Sequence, residues 1–141
     1  MHSKIQTTLA VHALRTLLGL ALCALAAAAL LVFSVVSHAG QSFDGQSFEQ
    51  AQTAGKTILV DVTASWCPTC RQQRPIVEQI EKERPNLVVY EVDFDTAKDT
   101  LKRFRVLQQS TLIVFKGTKE VGRSTGDTDP AHIRALVAQG F

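Results

Sequence analysis

Several residue types on which common protein functions depend are scarce in this chain of 141 residues. It contains three Cys, one Trp and one Tyr, and 15 Lys and Arg residues stand against 13 Asp and Glu. The only charged residues before Gly40 are Lys4 and Arg15, so the rest of the chain is formally neutral. This distribution excludes the broad basic surface that nucleic-acid binding requires.

Charge is absent altogether from residues 16–36, which are mainly Leu, Ala and Val. Two basic residues precede this run, and Ser37-His38-Ala39 follows it. A basic lead, an apolar run and a small-x-Ala site predict a secretory signal over residues 1–39. The run is also long enough to remain as an uncleaved membrane anchor. In both cases residues 40–141 are expected outside the cytoplasm.

Two of the three cysteines are candidates for chemistry. Cys23 lies within the apolar run after the bulky Leu22, so we interpret it as an apolar residue and not as a lipid attachment site. Cys67 and Cys70 remain. A domain of about 100 residues can bury an adequate core without a disulfide, and a bridge across so short a loop constrains the unfolded chain little. The pair is therefore expected to be reactive.

Hydrophobic periodicity beyond residue 39 predicts one domain of alternating strands and helices. Residues 40–45 are interpreted as a linker and Thr96 as a helix cap. The predicted helices cover residues 48–54, 67–83, 97–105 and a segment opening at Asp129-Pro130, and the predicted strands cover residues 57–63, 87–92, 111–115 and 120–123. The order α-β-α-β-α-β-β-α predicts an α/β sandwich whose first strands are parallel and whose last two form a hairpin.

Asp61 is the one charged residue in the strand predicted for residues 57–63, which has the composition of a strand buried on both faces. It is either a strand-end residue in contact with water or a buried carboxylate beneath the cysteines. We favour the buried position because charged residues are rare in such strands. Burial would raise the pKa of Asp61 and let it accept the proton of Cys70, directly or through a water.

The sequence Trp66-Cys67-Pro68-Thr69-Cys70 joins a predicted strand to a predicted helix. Free backbone N–H groups and the helix dipole favour an anion there, so the pKa of Cys67 is expected to be lowered and its thiolate to be the nucleophile. Pro68 favours the start of a helix. Cys70 can then attack a mixed disulfide on Cys67 and release the partner.

No metal or other cofactor is predicted. A structural zinc needs about four ligands, and His132 is the only other Cys or His beyond residue 39. A c-type haem requires His directly after the second cysteine, where this chain has Arg71. A binding module that uses the two thiols as ligands, in copper or haem handling, remains the alternative to an enzyme.

Together these residues resemble the active-site region of the thioredoxins. The stretch I-L-V-D-V-T-A-S-W-C-P-T-C, followed by Pro75, has their pattern of strand Asp, Trp, cysteine pair and helix Pro, and T-L-I-V-F-K-G resembles their C-terminal half. The resemblance extends from Phe48 to the end of the chain. It implies a thioredoxin-like three-layer α/β/α sandwich with a mixed central sheet over residues 40–141, preceded by the signal or anchor helix of residues 1–39.

The resemblance also implies roles for four residues. Cys67 corresponds to the cysteine that attacks the substrate and Cys70 to the one that resolves the mixed disulfide. Asp61 and Trp66 correspond to the buried Asp and the active-site Trp. Together with the export signal, this is most similar to the periplasmic thioredoxin-like proteins of bacteria.

Two positions depart from the thioredoxin pattern. Thioredoxins have a cis-proline before the Thr that opens the third predicted strand, and this chain has Ser110 there. The Ser110 peptide bond is expected to be trans, and its hydroxyl can hydrogen-bond the Cys67 sulfur. The family's Lys beside the buried Asp falls near Val89, an apolar residue, which should make Asp61 harder to ionise.

In the family, the loop at Ser110 faces the cysteines and helps to hold the partner chain. Substrate contacts are therefore expected from the side chains that surround the pair, namely Trp66, Pro68, Ser110 and Thr111.

The predicted function is that of a monomeric thiol–disulfide oxidoreductase of the periplasm that reduces disulfides of exported proteins. Its electrons are expected from a membrane thiol carrier, because the periplasm has no soluble reductant buffer. The buried Asp61 favours the reducing direction. The reverse direction, as an oxidase or isomerase, stays open, because the Pro-Thr dipeptide between the cysteines does not decide it.

Overall fold

The structure, a computed structural model, describes residues 40–141, so the signal or anchor predicted for residues 1–39 lies outside the described residues. The strands are β1 (Gln41–Ser42), β2 (Thr57–Thr63), β3 (Leu87–Asp93), β4 (Thr111–Lys116) and β5 (Lys119–Thr125). The helices are α1 (Gly45–Thr53), α2 (Pro68–Glu83), α3 (Lys98–Phe104) and α4 (Pro130–Ala138). None of these four helices is long and apolar enough to cross a membrane.

The strands form one mixed sheet in the order β1-β3-β2-β4-β5. Strands β1 and β2 both run parallel to β3, whereas β4 runs antiparallel to β2 and to β5. Strand β2 lies at the centre, and its residues Thr57 to Val62 are all buried. The predicted mixed sheet and closing hairpin are confirmed.

Helices cover both faces of the sheet because the side chains of β2 point alternately to opposite sides. Ile58, Val60 and Val62 pack in one core with residues of α1 and α3, including Phe48 and Phe104. Leu59 packs in the other core with Val77 and Ile80 of α2 and with Ile133 of α4. The three-layer α/β/α architecture follows. Asp61 has the parity of Leu59, so it lies on the same face as α2.

Two local predictions are wrong. Residues 40–45 are not only a linker, since Gln41 and Ser42 pair in parallel with Tyr90 and Glu91 as β1. Gly40 permits this approach, because a Cβ there would lie 2.9 Å from a Val89 methyl group. Both residues of β1 are exposed at the sheet edge, so no hydrophobic alternation marks this strand.

Thr96 does not cap α3. The cap residue of this helix is Ala97, which makes no side-chain cap hydrogen bond. The hydroxyl and the backbone N–H of Thr96 instead donate to the Asp93 carboxylate, at 2.7 and 2.8 Å. The Thr96 hydroxyl is therefore bound to the carboxylate at the end of β3 and makes no cap hydrogen bond to α3.

Candidate active site

Cys67 occupies the position immediately before α2, where the free backbone N–H groups of the first turn need an acceptor. Its backbone is extended (φ −78°, ψ 117°), and its sulfur accepts a hydrogen bond from the Cys70 N–H, with N and Sγ 3.1 Å apart. Pro68 follows as the first residue of the helix, where it needs no N–H partner. The sulfur therefore takes the place that a Ser or Asp oxygen takes in an ordinary helix cap.

Both cysteines are reduced and buried, with 2% of Cys67 and 3% of Cys70 exposed. Burial disfavours the Cys67 thiolate, but four hydrogen bonds oppose it. The donors are the Cys70 thiol, the Ser110 hydroxyl and the backbone N–H groups of Cys70 and Thr69. Together they outweigh burial and hold the pKa of Cys67 below its ordinary value.

Ser110 reaches both sulfurs. Its Oγ lies 3.1 Å from the Cys67 Sγ and 3.2 Å from the Cys70 Sγ, so the predicted contact with Cys67 is present and a second one accompanies it. No peptide bond within residues 40–141 is cis, as expected for Ser110. Its φ of 62° is left-handed, which costs a residue with a side chain roughly 1–2 kcal/mol. Its N–H donates to the Val62 carbonyl at 2.8 Å.

Asp61 is buried beneath this end of the sheet. Burial, as the largest cause, and the nearby Glu91 carboxylate raise its pKa to about 7 against the opposing effect of the Arg74 guanidinium. The prediction that Asp61 is hard to ionise is confirmed, but the neighbour named for it is wrong. The β2–β3 register pairs Asp61 with Glu91, whereas Val89 pairs with Leu59, two residues earlier.

A polar cleft lies beside the sheet, close to the strand position of Asp61. A cleft at the ends of β2 and β3 is lined by both charged groups that act on Asp61 and by polar side chains, namely Thr63, Ser65, Arg74, Glu91 and Asp93. No hydrogen bond joins the Asp61 carboxylate to either sulfur in the described part of the chain. A proton that moves between Asp61 and Cys70 would therefore pass through water.

The residues predicted to contact a substrate differ in their exposure. Trp66 is 54% exposed and its indole N–H donates to Asp95 at 2.7 Å, so its ring is held on the surface beside Cys67. Pro68 is exposed at the start of α2. Thr111 is buried, and its hydroxyl is used within the fold by Gln108 and Thr125.

Gln73 is not among the predicted site residues, although the structure places it against Ser110. Its side chain is fully buried, and its amide N–H₂ group donates to the Ser110 carbonyl. The sequence signal is its position. Residues 70, 73, 77 and 80 share the buried face of α2, so a glutamine among them is a polar residue on an apolar stripe.

No group of three or more His, Cys, Asp or Glu side chains within residues 40–141 is arranged to hold a metal ion. His132 contacts Asp127, with Nδ1 and Oδ2 3.4 Å apart.

Known proteins are similar to this domain in both fold and sequence. The family model described as Thioredoxin matches residues 35–139. Thioredoxin H-type from Fagopyrum esculentum is 33% identical over 65% of this chain and 78% of its own length. The thioredoxin of Chlamydia trachomatis is 33% identical over 61% of this chain and 84% of its own length. The crystal structure of Trxlp from Edwardsiella tarda EIB202 is 39% identical, with a TM-score of 0.67 over 70% of this chain and 98% of that one.

Replacement of Asp61 by Asn should make stability less dependent on pH. The folded protein holds a proton on Asp61 up to a pKa of about 7, whereas the unfolded chain releases it near 3.8. The folded state therefore binds more protons between these values, and its stability falls as pH rises from about 4 to 7. Asp61→Asn removes this loss, and at pH 8 it should gain on the order of 4 kcal/mol in free energy of unfolding.

Urea denaturation of both proteins at intervals from pH 4 to pH 8 measures this difference. Asp99→Asn, on the exposed surface of α3, is the matched control and should leave the pH dependence unchanged. A gain for Asp61→Asn that stays constant across this pH range would contradict the raised pKa.

Proposed function

Because the chain belongs to the thioredoxin family, and is thus a thiol–disulfide oxidoreductase with the pair Cys67 and Cys70, we propose that it reduces disulfides of exported proteins in the bacterial periplasm. The observation that carries the proposal is the contrast within the site. Four hydrogen bonds lower the pKa of Cys67, while burial raises that of Asp61 to about 7. A nucleophile and a proton acceptor are thus both available near neutral pH.

In the first step the Cys67 thiolate attacks one sulfur of the substrate disulfide. A bond forms between Cys67 and that sulfur, and the other substrate sulfur leaves as a thiolate that takes a proton from water. Cys70 then loses its proton through water to the ionised Asp61 and attacks the Cys67 sulfur. The second substrate sulfur leaves as a thiolate that takes a proton from water, and the Cys67–Cys70 disulfide that forms holds the two oxidised sulfurs.

The substrate chain is proposed to dock on the exposed apolar surface around the pair. Trp66 is adjacent to Cys67 and 54% exposed, and Leu107, in the loop that leads to Ser110, is 90% exposed. Large exposed apolar side chains close to a reactive group favour an unfolded or extended protein segment as the partner. The oxidised pair would be reduced again by a membrane thiol carrier, which supplies two electrons.

The Ser110 hydroxyl favours a second candidate direction. It lies within 3.2 Å of both reduced sulfurs, so it stabilises the reduced form of the pair. A stabilised reduced form makes a disulfide a stronger oxidant. Oxidation or isomerisation of exported proteins by the same two cysteines is therefore the alternative proposal.

The reduction potential of the Cys67–Cys70 couple distinguishes these directions. Equilibration of the purified protein against dithiol or glutathione buffers should give a value of about −200 mV or lower for a reductase. A value near −120 mV would make the protein an oxidant and reverse the proposed direction. The Cys67→Ser/Cys70→Ser double variant is the control and should show no two-electron transition.

The order of attack predicts which variant retains a substrate. Cys70→Ser should accumulate a mixed disulfide at Cys67, because no second thiol is present to resolve it. Cys67→Ser should accumulate none and should lose turnover completely. Incubation with oxidised insulin followed by non-reducing electrophoresis and mass spectrometry measures the adduct, and equal adducts on the two variants would contradict the assigned roles.

The pattern of residues 1–39 supports the proposed location, and a fusion experiment tests it. Residues 1–45 joined to alkaline phosphatase, which needs disulfides to become active, should give activity in bacterial cells. Substitution of Leu25 and Leu30 by Lys within the apolar run should abolish it, because charges oppose entry into the bilayer. Activity that survives this change would contradict export through the run, and the mass of the product shows whether cleavage occurs before Gly40.

A further inference from the structure

We infer that Gln73 is a positioning residue for the exchange reaction, and that its buried carboxamide holds the Ser110 hydroxyl between the two sulfurs. The inference deepens the proposed function and rests on exchange at Cys67 and Cys70. It concerns a side chain that touches neither sulfur and acts through Ser110.

The Gln73 amide connects α2 to two separate loops. Its Nε2 donates to the Ser110 carbonyl at 3.3 Å and to the Asp127 carbonyl at 2.7 Å, while the side chain is 0% exposed. Gln73 follows Cys70 by three residues, so the two side chains lie on the same face of the helix. The helix that carries the sulfurs therefore also carries the group that holds the loop in front of them.

Ser110 depends on hydrogen bonds because its backbone has no covalent constraint. A proline ring fixes φ near −65°, whereas Ser110 is held at a left-handed φ of 62°. Its N–H is bound by Val62, and its carbonyl accepts from the Gly126 N–H at 2.9 Å as well as from Gln73. The contacts with Val62 and Gly126 attach Ser110 to the sheet and the neighbouring loop. Among these contacts to the Ser110 backbone, only that with Gln73 attaches it to α2.

The cost of this arrangement argues against a role in packing alone. The Gln73 Oε1 atom is buried and has no hydrogen-bond partner in the described residues. Leaving a buried polar atom unpaired is unfavourable, and Val77 and Ile80 on the same face show that an apolar residue fits this environment. A polar group retained at such a cost indicates that its two donor hydrogens are needed where they are.

The held hydroxyl can serve both steps of the exchange. A hydroxyl has one hydrogen and two lone pairs, so it can donate to the Cys67 thiolate, while the single hydrogen of the Cys70 thiol is directed either to Cys67 or to the Ser110 oxygen. Once Cys67 is in a mixed disulfide, the same hydrogen can turn to Cys70 as that sulfur becomes the attacking thiolate. Both contacts require the Oγ to stay within hydrogen-bond distance of the two sulfurs, which the Gln73 amide secures.

A double-mutant cycle in the full-length protein tests this coupling. Gln73→Met keeps the length of the side chain and removes its donors, and Ser110→Ala removes the hydroxyl. The measurement is the rate of Cys67 alkylation by iodoacetamide, followed at that residue by mass spectrometry from pH 4 to pH 9. Gln72→Met, on the exposed side of the same helix, is the matched control.

Each single variant should move the alkylation midpoint to higher pH and reduce the rate at pH 6 roughly threefold to tenfold, as expected for loss of a hydrogen bond to a charged sulfur. The double variant should be no slower than Ser110→Ala alone, because Gln73 acts through the hydroxyl. Gln72→Met should match the unmodified protein. Insulin reduction by the same proteins should fall in the same order.

Two results would overturn the inference. Gln73→Met could lower the melting temperature and leave the alkylation profile unchanged, which is the behaviour of a purely structural residue. Alternatively, the effect of Gln73→Met on the alkylation rate could add in full to that of Ser110→Ala in the double variant. If Gln73→Met does not fold, as judged by circular dichroism, Gln73→Leu replaces it. This variant also removes both donors without adding a charge, so an unchanged alkylation profile would contradict the inference in the same way.

Failure of the proposed function would look different. In that case the unmodified protein would neither reduce insulin nor show a two-electron transition. If instead the unmodified protein is active and Gln73→Met has an unaltered alkylation profile, only the positioning role of Gln73 is contradicted.

Discussion

The geometry of the site depends on the need of the first turn of α2 for hydrogen-bond acceptors. Strand β2 lies at the centre of the sheet, so its carboxyl end is fixed by strands on both sides, and Cys67 follows it after a short turn. The N–H groups that a helix leaves free at its start are aimed at the Cys67 sulfur. Because α2 packs on the face of β2 to which Asp61 belongs, one packing arrangement places the thiols and the carboxylate at the same end of the molecule.

Burial opposes ionisation of both Cys67 and Asp61, but it determines the direction of the pKa shift only at Asp61. At Cys67 it opposes the thiolate and is outweighed by four hydrogen bonds. At Asp61 the nearest charged groups do not reverse the effect of burial. The Glu91 carboxylate raises the pKa as burial does, and the Arg74 guanidinium offsets only part of the rise. Hydrogen bonds to a charged group contribute about 1.5–3 kcal/mol each, so several of them can exceed the cost of burying one sulfur. The carboxylate has no such donors among residues 40–141, and so it retains its proton to about pH 7.

The features that could be predicted from the sequence are those that local patterns determine. Strand β2, helix α2, the place of the cysteines and the burial of Asp61 follow from apolar periodicity and from a five-residue motif. Strand register depends on tertiary pairing, which a local pattern does not determine. A shift of two residues along β3 keeps the same face of the strand, so the sequence does not distinguish Val89 from Glu91 as the neighbour of Asp61. Strand β1 has two exposed residues and no pattern. Gln73 bonds to groups 37 and 54 positions away, which no local pattern indicates.

The serine at position 110, where thioredoxins have proline, changes how the loop backbone is held and how stable the reduced cysteine pair is. Proline fixes one dihedral and offers no hydrogen, whereas Ser110 adds a donor to the sulfurs and needs backbone partners to keep a left-handed conformation. The donor stabilises the reduced pair, which raises the reduction potential. Asp61 lies on the sheet face that carries α2, and because its pKa is about 7 its charge changes around neutral pH. The Ser110 hydroxyl, in contrast, is a donor to the sulfurs at every pH, so the serine acts on the reduced pair independently of the state of the carboxylate.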